Sequence, residues 1–175
     1  DRLDFSAYIA PIEVNLATAS ATDVVNFSNF ESFVGGSSNT DTFLADNSDV
    51  LFQLTTNDSG IIDGTIDFSS FEAFDGQGGQ NTLSLDSLTT TTPNAFDIDG
   101  RNSGSINGQA FNNFSNLIGS AQNDTFSFIN SGNVTGDIDG AVGQDTLDYS
   151  AFNGPVSIDL ENNSASALSS FNSIE

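Results

Sequence analysis

Two segments, "PIEVNL" (11–16) and "PVSIDL" (155–160), alternate apolar with polar residues, which is the period-2 signal of a strand with one buried face. "DVLFQL" (49–54), "GTIDF" (64–68), "AFDID" (95–99) and "DTFSF" (124–128) read the same way. Asp-Gly pairs at 63–64, 75–76, 99–100 and 139–140, with Asn-Gly at 107–108 and 153–154, supply the turns. No stretch holds a helical period over ten or more residues, so the pattern predicts an all-β chain. "TTTTP" (89–93) reads as a loop or an extended edge bounded by Pro93.

The chain also repeats itself. "FSNFESFVGGSSNTDTF" from Phe27 returns as "FSSFEAFDGQGGQNTL" from Phe68 and as "FNNFSNLIGSAQNDTF" from Phe111. Segment 4–31 aligns without gaps on 148–175, an offset of 144 residues, with Asp4/Asp148, Pro11/Pro155, Leu16/Leu160, Phe27/Phe171 and Glu31/Glu175 among the identities. The phrase "DT(F/L)" or a variant ends at Leu3, Phe43, Leu83, Phe126 and Leu147, spacings of 40, 40, 43 and 21. These intervals fit one or two turns of a coil of roughly 20–22 residues. A third phrase, "SGIIDGTID" (59–67), "SGSINGQAF" (103–111) and "SGNVTGDID" (131–139), aligns Ile62 with Ile106 and Val134.

A sandwich would also show short strands and regular turns. Matching side chains at matching positions favour a β-solenoid instead, in which each rung stacks on its predecessor. Residues 1–175 then form a single solenoid segment of about eight rungs, open at both ends, within a larger repeat of 144 residues. The triplets Phe27/Phe30/Phe33, Phe68/Phe71/Phe74 and Phe111/Phe114/Leu117 are expected to lie ring over ring on successive rungs. Each offset aromatic pair would add about 0.5–1.5 kcal/mol to the area it buries. The Gly-rich stretch after each triplet allows a tight corner.

Composition narrows the function. The 175 residues hold 24 acidic and two basic side chains, Arg2 and Arg101, for a net charge of −22. Such a surface cannot neutralise phosphates, which argues against nucleic acid and anionic membrane as partners. Without Cys or His there is no disulfide, no Cys-ligated zinc and no Ser-His or Cys-His nucleophile. The 16 Phe are too many for a disordered acidic tail. No apolar run is as long as a membrane span. The start, without Met, fits a mature form or an excerpt of a longer protein.

"GAVGQDTLD" (140–148) matches the nonapeptide Gly-Gly-x-Gly-x-Asp-x-hydrophobic-x except at Ala141, and "GQGGQNTLS" (76–84) except at Gln77 and Asn81. "GSAQNDTFS" (119–127) and "GSSNTDTFL" (36–44) keep the first Gly, the Asp and the hydrophobic residue. On these motifs the chain resembles the RTX-like, hemolysin-type calcium-binding repeats of large secreted or surface-attached bacterial adhesins and matrix proteins. The resemblance covers most of the chain and implies a right-handed parallel β-helix whose turns bind calcium through the motif Asp and turn carbonyls. It singles out Asp124 and Asp145, whose turns lie one rung apart, with Asp139 and Asp75 as further candidates. The same Asp residues also suit turn capping, which the degenerate motifs favour over a bound ion.

The resemblance implies a structural role outside the cell, as a scaffold, stalk or adhesin rod on a surface or in a matrix. Its partners would be neighbouring copies or continuing repeats, and calcium its only ligand. A carbohydrate- or ice-binding module is the alternative, and a β-helical polysaccharide-degrading enzyme a further one. Two Arg residues leave little with which to hold an acidic sugar, so no catalysis is expected.

Overall fold

The computed structural model describes residues 1–89 and 91–175; among these there is no helix, and hence none that could cross a membrane. The loop or edge expected at 89–93 includes Thr90, which lies outside the described residues. The chain opens with β1 (Arg2–Asp4), the hairpin β2 (Glu13–Asn15) and β3 (Ser20–Ala21), then β4 (Ser32–Val34) and β5 (Thr42–Leu44). An antiparallel meander follows: β6 (Leu51–Thr56), β7 (Ser59–Ile62) and β8 (Ile66–Ser69). Single strands β9 (Ala73–Asp75) and β10 (Asn81–Ser84) lead to a second meander of β11 (Ala95–Gly100), β12 (Ser103–Ile106) and β13 (Gln109–Asn112). Next come β14 (Phe114–Ile118), β15 (Thr125–Phe128), β16 (Asp137–Asp139) and β17 (Thr146–Asp148). The hairpin β18 (Ile158–Asp159) and β19 (Ser164–Ala165), then β20 (Ser170–Asn172), complete the chain.

The strands form two nine-stranded sheets, ordered β1-β4-β8-β7-β6-β10-β14-β16-β20 and β17-β15-β11-β12-β13-β9-β5-β2-β3. The backbone passes from one sheet to the other and back, and strands from successive passes pair in parallel, which makes a β-solenoid of about five turns. The expected interval of about 21 residues is realised where Thr125 pairs with Thr146 and Leu117 with Ile138. Elsewhere parallel partners lie 29 residues apart (Glu13 and Thr42) to 37 apart (Ala73 and Ala110). Hairpins and meanders lengthen those turns, so the chain completes about five of them where the shorter interval leads one to expect eight.

The meanders follow from turn chemistry. Asp63-Gly64 and Asn107-Gly108 both take positive φ (49° and 67°, 50° and 87°), the condition for a tight hairpin whose twist matches its strands. The third copy of the phrase carries Thr135-Gly136, neither of which has positive φ, and it makes no hairpin; Val134 is buried and the chain runs on into β16. No atom lies within 4 Å of the place a Cβ on Gly108 would occupy, so Gly108→Ala acts through the backbone alone. It is expected to cost about 1–2 kcal/mol in urea unfolding; a loss under about 0.5 kcal/mol would mean that this turn does not hold the meander.

The space between the sheets is filled by phenylalanine. Phe33, Phe43, Phe52, Phe71, Phe74, Phe96, Phe111, Phe114, Phe126 and Phe128 are all fully buried. The stacked Phe core is present, but its register differs from the expected one. Phe33 pairs with Phe68, not with Phe74, whereas Phe74 lies between Phe43 and Phe111. The reason is local. The third residue of each phrase is left-handed (Asn29 φ 59°, Ser70 φ 61°, Asn113 φ 62°), and there the chain turns from one sheet towards the other. The triplets from Phe68 and Phe111 therefore bridge two ladders, each giving its first ring to one sheet and its last residue to the other, whereas Phe27 precedes its strand and packs against Phe33. Small polar residues accept this conformation at modest cost.

Candidate functional site

At the corner where a strand begins, the residue is repeatedly Asp, Glu or Asn, and its side chain reaches back one turn; Glu175 holds the same position after β20. In each case the carboxylate or amide oxygen accepts the backbone N–H of the residue that precedes the strand beneath. Asp41 Oδ1 accepts from Ile12 N at 2.9 Å, and Asp41 N donates to Glu72 Oε2 at 3.0 Å. Asp124 Oδ1 accepts from Asn94 N at 2.8 Å, Asp145 Oδ1 from Asp124 N at 2.7 Å, and Glu175 Oε2 from Asp145 N at 3.0 Å. Asn81 Oδ1 accepts from Val50 N at 3.1 Å, and Glu31 takes the terminal amino group of Asp1. Asp41, Asn81, Asn94, Asp124 and Asp145 are all buried.

The second oxygen usually binds within its own turn. Gly36 N donates to Asp41 Oδ2 at 2.6 Å and Ser120 N to Asp124 Oδ2 at 2.5 Å. These N–H groups approach because the backbones are close. A Cβ on Gly35 would stand 1.7 Å from Ser70 O of the next turn, and one on Gly140 would stand 2.1 Å from Ser173 O. Only glycine fits at these two positions, Gly140 opening its repeat and Gly35 immediately preceding the repeat at 36–44.

The four residues singled out by the calcium resemblance fall into different settings. Asp124 and Asp145 are brought together on adjacent turns, joined through the N–H of Asp124. Asp139 and Asp75 instead close Asx turns, accepting from Ala141 N at 3.0 Å and Gln77 N at 2.7 Å. Asp75 also takes the Asn113 side chain, on a separate corner. A calcium ion needs six to eight free oxygens, and N–H groups directed at a carboxylate compete with it. Both oxygens of Asp124 are held by N–H donors, with which a cation there would have to compete. No group of three or more acidic side chains placed to hold a metal occurs among the described residues.

Asp145 is the exception. Its Oδ2 is the one buried side-chain oxygen or nitrogen among the described residues that lacks a hydrogen-bond partner. The matching corner at Asn81 shows what belongs there: Asn81 Nδ2 donates to the carbonyls of Gly76, Gly78 and Asn113 at 2.8, 2.8 and 2.9 Å. The corner of Asp145 presents an oxygen where that corner presents a donor. Burial, and then the charges of Asp124, Glu175 and Asp139, push the Asp145 carboxyl above the usual carboxylate range, against the lowering effect of the Asp124 N–H.

Asp145→Asn is therefore expected to stabilise the chain by about 1–3 kcal/mol at pH 7 in chelated buffer, by removing an unsatisfied acceptor and supplying a donor. A carboxyl whose pKa is raised by folding takes its proton more readily in the fold, so the wild type gains stability as pH falls through that folded pKa. The advantage of Asn should shrink between pH 7 and the ordinary value of 3.8. Urea midpoints across that range check it; an Asn variant no more stable than wild type at pH 7 would contradict it.

Glu72, Asn94 and Glu175 were missed by sequence reasoning. Their signal is positional: "NAF" at 94–96 copies "DTF" at 124–126 with Asn for Asp, and Glu31 and Glu175 are equivalent in the 144-residue alignment. A separate polar cleft of about 350 Å³, bordered by Gln77, Gln80, Arg101, Asn102, Asn113 and Thr135, has neither an aromatic ring nor a carboxylate in its wall. Compared with family models, with curated proteins and with solved structures, the chain matches none of them.

Proposed function

We propose that this chain is a structural repeat segment of an extracellular bacterial surface or matrix fibre, acting as scaffold, stalk or adhesin rod. The observation that supports this reading most is the pair of nine-stranded ladders, one from β1 to β20 and one from β3 to β17, around one phenylalanine core. Such a body resists bending and shearing along its axis, because every turn is bonded to its neighbours through backbone and corner carboxylates alike. A net charge of −22 keeps such rods soluble and apart. The reading assigns no reaction to the chain. Antibody labelling of the producing cells tests it: label on intact cells or in the surrounding matrix supports it, and label only after permeabilisation contradicts it.

One observation favours a calcium-stabilised form of this rod. The free Oδ2 of Asp145 lies in "GAVGQDTLD", the stretch closest to the calcium-binding nonapeptide. The ion would be held through that oxygen of Asp145 and would add stability in proportion to its occupancy. A calcium-dependent rise in Tm that Asp145→Asn abolishes supports this form; a rise of equal size in the variant contradicts it.

A further inference from the structure

The two ends of the 144-residue alignment have the same backbone. Val14 pairs with Ala21 and Ile158 with Ala165; Asn15 pairs with Ser20 and Asp159 with Ser164. Glu13 N donates to Thr22 Oγ1 at 2.9 Å, and Ser157 N to Ser166 Oγ at 2.9 Å. Glu31 N reaches Asp1 O and Glu175 N reaches Asp145 O, both at 3.1 Å. Left-handed residues recur in step at Ala19 and Asn163, Asp23 and Ala167, and Asn29 and Ser173.

The two copies differ in what covers them. Ile12 and Val14 are 2% and 0% exposed, whereas their counterparts Val156 and Ile158 are 44% and 51% exposed, and Leu160 is 76% exposed. In the first copy β4 lies over β1, placing Phe33 against Leu3, and β5 lies over β2, placing Phe43 against Val14. The Phe33 ring sits 5.2 Å from Phe27 and 6.5 Å from Phe30. In the second copy the counterparts of Leu3, Val14, Phe27 and Phe30 are Leu147, Ile158, Phe171 and Ile174. These four, with Leu160, line an apolar cavity of about 190 Å³. Three of them, Leu147, Phe171 and Ile174, are the counterparts of the residues that lie against Phe33 in the first copy.

We propose that the end of the solenoid formed by β17 and the β18–β19 hairpin is a docking surface for a further repeat of this same sequence. The incoming segment carries the pattern of residues 32–45, "SFVGGSSNTDTFLA". Its first strand pairs in parallel over β17 as β4 does over β1, and its Phe33 counterpart fills the cavity. The counterpart of Asp41 accepts the Val156 N–H as Asp41 accepts that of Ile12. Its D-T-F strand covers Ile158 as β5 covers Val14. Main-chain bonds would give this contact its strength, and the cavity together with the cover over Ile158 its register. Glu175 already holds the place that Glu31 holds immediately before β4.

This inference rests on the structural-repeat reading, and its test is separate from cell labelling. Residues 32–47 are appended after Glu175 of the full chain. A second version carries Phe33→Asp and Phe43→Asp in the appended copy only. The first extension is expected to raise Tm by about 5 °C or more, from the apolar area it covers. It should also protect the amides of 146–148 and 158–159 from hydrogen exchange. The second should do neither. Equal melting of both extensions, with exchange at those amides unchanged, overturns the proposal and leaves the labelling result untouched. A rise confined to the first upholds it wherever the protein resides.

Discussion

Phe43→Ala is expected to cost about 3–5 kcal/mol, the range for emptying the site of a buried aromatic ring. Phe43 is fully buried and meets four rings, Phe33 at 5.5 Å, Phe52 at 6.3 Å, Phe68 at 5.4 Å and Phe71 at 5.0 Å. In its strand it lies between Val14 and Phe74, so one truncation loosens three turns. The cavity cannot close, because its walls are strands fixed by ladder hydrogen bonds. Against a total stability of about 5–15 kcal/mol, the loss brings many such chains close to unfolding. Phe43→Leu keeps most of the volume and should cost less than about 1.5 kcal/mol, which keeps the comparison measurable if the Ala variant does not fold. Urea midpoints at constant m value supply the numbers. A Phe43→Ala loss below about 1 kcal/mol would mean that the rings fill the space without holding the turns together.

Asp124→Ala comes next, at about 2–5 kcal/mol. The carboxylate accepts the N–H groups of Asn94 and Ser120, and the side-chain amide of Asn94 as well. Alanine would strand these donors in a corner that water does not reach, and each stranded donor costs about 1–3 kcal/mol. Asp124→Asn should fall in between, because it keeps one acceptor and turns an NH2 group towards the other donor. Asp75→Ala is the control. That carboxylate caps a partly exposed turn, where water can replace the lost acceptor, so its removal should cost no more than about 1 kcal/mol. If the two Ala variants lose the same amount, the buried corner carboxylates add nothing beyond ordinary turn capping.

The strands with clean alternation were legible in the sequence: "DVLFQL", "GTIDF", "AFDID" and "DTFSF" each fall on a strand of the structure. "PIEVNL" and "PVSIDL" share a pattern but not a burial, because burial depends on what lies above them and not on the residues themselves. The Phe residues were legible as core, since no other role suits so many rings in so acidic a chain. Their register was not. The repeats F-x-x-F invite ring-over-ring alignment of whole triplets, whereas the left-handed residues Ser70 and Asn113 lie where the triplets from Phe68 and Phe111 pass from one sheet to the other. The meanders were half legible. Asp63-Gly64 and Asn107-Gly108 read as turns, but the phrase around them recurs at 131–139 without a hairpin, and recurrence hides that difference.

The acidic corners show a similar limit. Asp124 and Asp145 stood out through a motif for metal, and the structure does place them on adjacent turns. What motif spacing cannot carry is the direction of the surrounding backbone. In the corners of Asp41 and Asp124 the turn presents N–H groups, which suit a carboxylate. In the corner of Asn81 it presents carbonyls, which suit an amide. Among the described residues, Asp145 alone keeps one buried oxygen without a donor.

If phenylalanine ladders and N–H-capped carboxylates suffice to hold the turns together, the solenoid keeps its fold when calcium is removed. The most direct test is a thermal melt followed by circular dichroism after exhaustive chelation, repeated with millimolar calcium. The account predicts a strand-rich spectrum and a cooperative melt in chelated buffer. Any calcium-dependent gain should stay within the roughly 2–4 °C that about 1 kcal/mol gives a domain of this size. A chain that becomes a coil on chelation, and regains its strands only when calcium returns, would contradict it.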